Sequence, residues 1–143
     1  MPSKAAHVAA AKRNQATIDY LLVGSDEHLP WVVTVAFYKA LDVVEAVFAA
    51  DQKGPVQHTD DHKIRNQVLK TTNRYQQLWR MYRPLWEASL IARYLRTDDN
   101  APAYTDFAQY MNRSQIEQRL LGHYLAQIES SAAKLMGEPN FVP

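Results

Sequence analysis

WVVTVAFYKALDVVEAVFAA, residues 31–50, decides the fold. The stretch is apolar nearly all round, and the polar residues it does carry recur at helical rather than alternating spacing. A helix of that kind is the buried centre of a bundle rather than a surface element. It is also interrupted by Lys39, Asp42 and Glu45, so it does not read as a membrane span, which needs about 20 predominantly apolar residues. Pro30 stands where a first helical turn tolerates proline, and Lys53-Gly54-Pro55 closes the segment.

Outward from this centre the chain reads as helix on both sides. Residues 4–23 are alanine-rich, with Val8, Ala11, Ile18 and Leu22 on one face and Gly24 as the stop. A third helix is expected after Thr59 as N-cap, with Asp60 and Asp61 in its first turn and a stripe of Ile64, Val68, Thr71, Tyr75, Leu78 and Tyr82. Pro84 is expected to kink or break it, leaving 85–96 as a fourth helix or a bent continuation, with Leu85, Trp86, Leu90, Ile91 and Tyr94 apolar. TDDNAPA at 97–103 is a polar loop, and 104–112 have room for one short helical turn. Ser114-Gln115-Ile116-Glu117 has the pattern of a capping box, and Ile116, Leu120, Tyr124, Ile128, Ser131 and Leu135 then run to Gly137. No strand alternation and no internal repeat is evident. Short connections favour antiparallel neighbours, so the expected fold is all-α, an antiparallel up-and-down bundle of four to five helices. At 143 residues a single domain is expected over 1–143.

Composition narrows the function classes. There is no cysteine, which removes disulfides, thiolate metal sites and a cysteine nucleophile, and fits a reducing cytoplasm. The N-terminal residues lack the apolar core of a signal peptide. Sixteen Lys and Arg against fifteen Asp and Glu give a net charge of +1, so the whole chain has no strong attraction to nucleic acid or anionic lipid, although a local basic face is compatible with it.

The chemistry concentrates in QHTDDHKIRN, residues 57–66. His62, Arg65 and Asn66 are at i, i+3 and i+4 and share a helix face. Arg65 can fork onto an oxyanion, Asn66 can hydrogen-bond beside it, and His62 can carry a proton near neutral pH. The competing reading is a solvated, charged helix edge. His58-x3-His62 with Asp60 and Asp61 suggests a metal, but His58 falls outside the helix and the acids are explained by the helix start, so neither metal nor cofactor is expected. Thr34, Tyr38, Asp42 and Glu45 form one polar line on the central helix. A buried carboxylate needs a partner, so either Asp42 pairs with Lys39 and Glu45 sits at the outer edge, or the line meets His58 and the 62–66 face and orients a histidine. Arg93, four after Ser89, either reaches the same cleft or interacts with its helix end. Arg119 and His123 form a weaker same-face pair. Trp31, Trp79 and Trp86 read as core or interface anchors rather than as base-stacking platforms.

This pattern resembles the HEPN-domain family over residues 31–96, carried by Trp31, Tyr38, Glu45, His62, Arg65, Asn66, Arg93 and Tyr94. The resemblance implies a homodimeric helical bundle. Many members are metal-independent ribonucleases of toxin–antitoxin or defence systems, and others are non-catalytic partners of nucleotidyltransferases. It therefore implies an RNA or nucleotide ligand and an antitoxin or nucleotidyltransferase partner. In active members a histidine follows the arginine and its polar neighbour by four to six positions. Here those positions hold Lys70, Thr71 and Thr72, so Arg65 and Asn66 alone match. A ribonuclease on this chain would use His62 as base, Arg65 for the phosphorane charge and Asn66 or Arg93 to orient the phosphate, with Asp42, Glu45 and His58 in support. The alternative is a non-catalytic binding or regulatory bundle acting through dimer or partner contacts.

Overall fold

The computed structural model describes residues 1–97, 99, 104–141 and 143, and these form an all-α bundle with no β-strand element among them. Helix α1 spans Lys4–Val23, capped by the Ser3 hydroxyl accepting from the Ala6 amide. Gly24 ends it with an extended backbone. Helix α2 spans Leu29–Ala50 with Pro30 in its first turn, as the sequence requires. Its fourteen buried residues include Val33, Phe37, Val44 and Phe48, which makes it the centre of the core. Gln15 meets Lys39 while His7 meets Asp42, so α1 runs antiparallel to α2.

The third helix departs from the expected reading. Helix α3 spans only His62–Thr71, and its N-cap is Asp61, whose carboxylate accepts from the Ile64 amide at 2.7 Å. Thr59 is not a cap; it is buried against Glu45. The buried positions are Arg65 and Leu69, whereas Ile64, expected in the core, is 50% exposed. The chain then turns through Asn73–Tyr75, and helix α4 runs Gln76–Tyr94. The break therefore falls at Thr72, twelve residues before its expected place at Pro84. Pro84 sits inside α4 without ending it, because the carbonyl it deprives belongs to the exposed Arg80. Phe48 packs on Tyr75 and Phe37 on Tyr82 and Trp86, so α4 is antiparallel to α2.

Most of the polar loop expected at 97–103 lies outside the described residues. A single 3₁₀ turn follows at Phe107–Gln109. The last helix, α5, is composite: a first turn at Arg113–Gln115, a π-helical stretch Ile116–Leu125 and an α-helical end Ala126–Met136. Its capping box is formed by Asn112 and Gln115, two residues before the expected one. The π-helical stretch adds a residue to the local repeat, so the buried series is Ile116, Leu120, Leu125, Ile128 and Ala132. Tyr124, Ser131 and Leu135 consequently move to the half-buried flank. Gly137 closes the helix in the left-handed conformation, φ 67°. No described helix is long and apolar enough to cross a membrane.

Candidate functional site

Two sites meet at the start of α3, one buried and one open. In the buried site Glu45 on α2 is 1% exposed and receives three hydrogen bonds. Its Oε1 accepts from Arg65 Nε at 2.9 Å and from the Thr59 hydroxyl, and its Oε2 accepts from the Thr59 amide at 3.1 Å. Burying a carboxylate costs several kcal/mol unless it is paired and hydrogen-bonded, and these three donors meet that need. Arg65 Nη2 donates to the Thr59 carbonyl at 3.4 Å and Nη1 to His62 Nδ1 at 3.1 Å. Arg65 is thus a 4% exposed clamp that fastens α3 and the 51–61 connection onto α2. Arg65, expected to fork onto an oxyanion, instead has its guanidinium committed to the protein itself.

The polar line on α2 divides. Glu45 faces α3, as one reading held, and is not at the bundle's outer edge. Asp42 turns to α1, where its oxygens receive His7 Nδ1 at 3.3 Å and Asn14 Nδ2 at 3.1 Å. Burial nonetheless raises its pKa, opposed by the bond and charge of His7. Lys39 does not pair with Asp42; it donates to Gln15 at 2.6 Å and to Glu129 at 2.5 Å. Thr34 donates back to the Pro30 carbonyl at 2.8 Å. Tyr38 stands at the surface beside Arg93, whose guanidinium carbon lies 5.8 Å from its ring and 5.2 Å from that of Tyr94. Arg93 Nε donates to the Ser89 carbonyl at 3.2 Å, so it closes its own helix as one reading proposed.

The open site is a groove of about 550 Å³ between α3 and α4, lined by His62, Lys63, Asn66, Gln67, Lys70, Trp79, Arg83, Trp86 and a single carboxylate, Glu87. It opens where α3 packs on α4. A shallower extension adds Arg80. Lys63, Lys70 and Arg80 have no carboxylate partner among the described residues, whereas Arg83 pairs with Glu87 at 3.0 Å. Trp79 and Trp86 are half-buried, offering partial ring surface.

His62 sits at the junction of the two sites, its ring 4.9 Å from Trp86 and 5.6 Å from Phe37. Burial lowers its pKa, with help from the charges of Arg65 and Arg93. Arg65 can only donate, so His62 Nδ1 must accept, and the ring's proton is fixed on Nε2. The imidazole is therefore a neutral hydrogen-bond donor rather than a free base. Asn66 lines the groove too, its side-chain oxygen buried without a protein partner.

His62, Arg65 and Asn66 are adjacent as the spacing predicts, but they do not form one face: the first and third border the groove and the second points inward. His58 is separate, with Nε2 2.9 Å from Asp60 Oδ1 and Nδ1 3.1 Å from Glu45 Oε2. Sequence reasoning missed Lys70, Trp79 and Arg83 as groove residues. Trp79, Arg83 and Trp86, spaced by four and three, do share a helix face, which is the signal that could have found them. It missed His7 as well, although His7, Ala11 and Ile18 repeat as one buried face of α1. Comparison with family models, with curated proteins and with solved structures finds no match.

Proposed function

We propose that the α3–α4 groove binds single-stranded RNA and that the chain is a binding module rather than a nuclease. The carrying observation is the combination of three unpaired cations, Lys63, Lys70 and Arg80, with the rings of Trp79 and Trp86 along one groove. Cations along a groove track a phosphate backbone, and indoles offer faces on which unpaired bases stack. The Nε2–H of His62 and the amides of Asn66 and Gln67 add short-range donors for phosphate or base oxygens.

The same geometry argues against cleavage. General-base catalysis requires an unoccupied imidazole nitrogen beside the ribose 2′-hydroxyl. His62 Nδ1 is taken by Arg65, and Arg65 is held by Glu45 and Thr59. On this proposal the resemblance to the HEPN family is that of a non-catalytic member. In that reading the chain also pairs with a second copy. Trp31, 62% exposed, and Tyr38 stand seven residues apart on one face of α2, with Tyr94 beside them at Arg93, and give such a dimer an aromatic surface.

Fluorescence anisotropy with a labelled single-stranded oligoribonucleotide tests the proposal. Saturable binding is expected, weakened at least tenfold by Lys63→Glu with Lys70→Glu, and the RNA should be recovered intact. Equal binding by the double variant would show that the groove is not the site. Cleavage of the RNA would reject the non-catalytic reading.

A further inference from the structure

Beneath the groove lies a second cluster, independent of what the groove binds. His7 on α1, Glu45 on α2 and His58 in the 51–61 connection bring one potential ligand atom each to within 4.8 Å of one another. No other group of three such residues occurs among the described residues. His7 Nε2 and His58 Nδ1 are both buried and lack a hydrogen-bond partner, and the two rings are stacked with centroids 5.8 Å apart. Buried polar atoms are almost always satisfied, so two orphaned imidazole nitrogens beside one carboxylate require a reason.

We propose that His7, Glu45 and His58 bind a divalent transition-metal ion, zinc being the best match. Each histidine has an outer carboxylate that stabilises the tautomer a metal ligand needs. His7 directs Nδ1 to Asp42 Oδ1 at 3.3 Å, which leaves the lone pair of Nε2 facing inward. His58 directs Nε2 to Asp60 Oδ1 at 2.9 Å, which leaves the lone pair of Nδ1 facing Glu45 Oε2 at 3.1 Å. A carboxylate behind each ligating histidine is the usual support of a zinc site, because it fixes the ring and strengthens the donor. Without a cation, a nitrogen lone pair and a carboxylate oxygen face each other. Protonating His58 would relieve that contact but leave His7 Nε2 unserved, and protonating both would stack two cations. One dication satisfies all three groups.

Charge supports the assignment. Glu45, Asp42 and Asp60 contribute three negative charges against Arg65, and a dication brings that set to neutrality. Two imidazoles and one carboxylate suit zinc, whose bonds of about 2.0–2.1 Å place tetrahedral ligands roughly 3.3 Å apart. The three atoms must therefore draw together by up to about 1.5 Å, within reach of small side-chain rotations. The ion ties three segments that are distant in sequence, so its role is to fasten α1 and the 51–61 connection to α2.

Calorimetric titration of the chelator-treated, dialysed chain with zinc chloride is the test. One zinc per chain is expected, with a rise in melting temperature of roughly 5–10 °C at a hundredfold excess over Kd, reversed by EDTA. His7→Gln and His58→Gln should each lower affinity more than a hundredfold, and Asp42→Asn roughly 10–100-fold. His123→Gln, an exposed control, should change nothing. Circular dichroism confirms that each variant is folded; if His7→Gln does not fold, Asp42→Asn and His58→Gln carry the comparison. Absence of binding, or zinc binding that persists unchanged in His58→Gln and Asp42→Asn, overturns the site.

Discussion

Arg65 acquires its meaning from where its guanidinium ends. On the sequence it is one of three polar residues on a helix edge; in the fold it is the partner of the buried Glu45. Breaking one side of such a pair leaves an uncompensated charge, which costs about 3–5 kcal/mol. Arg65→Ala should therefore lower the unfolding free energy by that amount in urea titration, and a loss under about 1 kcal/mol would contradict the clamp. His62 gives a second test at this scale. Burial holds its folded-state pKa below the usual 6.5, so the unfolded chain binds the proton more tightly. Stability from this source is complete above about pH 6.5 and is lost as pH falls towards the folded-state value. Denaturation at pH 7 and pH 5 should show a smaller acid loss for His62→Gln than for the parent chain. An identical loss in both would refute the assignment.

At the element scale the helices with strong local signals were legible and the registers set by packing were not. Ends of α1 and α2 followed from Gly24, Pro30 and the 53–55 turn. The face of α3 was misread by one position, because the apolar Ile64 is exposed while Arg65 is buried by a partner twenty residues earlier. Periodicity cannot anticipate a charge that is buried because its counter-charge is buried. The π-helical stretch was equally hidden, since a repeat of three and four leads from Leu120 to Tyr124, whereas the fold buries Leu125. Gly122 provides its test. In an ordinary exposed helix position Gly→Ala stabilises by roughly 1 kcal/mol. Here an added Cβ would stand 2.9 Å from the Glu117 carbonyl oxygen, so Gly122→Ala should destabilise, as read by urea denaturation. Stabilisation would mean that the π-helical stretch is absent.

For the whole molecule, the helical bundle was legible from one apolar stretch, but the groove was not, because it belongs to two helices whose separation is a tertiary fact. His62 and Asn66 were identified from their spacing; Lys70 and Trp79 join them only once α3 and α4 are placed. If three or four cations meet phosphates, the logarithm of the RNA affinity should fall against the logarithm of salt concentration with a slope of about −2 to −3. Light scattering should show a dimer at micromolar concentration, converted to monomer by Trp31→Glu; a monomeric parent chain would remove the aromatic face from the account. The groove itself is tested most directly by ultraviolet cross-linking of the chain to single-stranded RNA, followed by peptide mapping. The account predicts cross-links within residues 62–87, centred on Trp79 and Trp86. Cross-links confined to α1 or α5, or none under conditions where RNA binds, would contradict it.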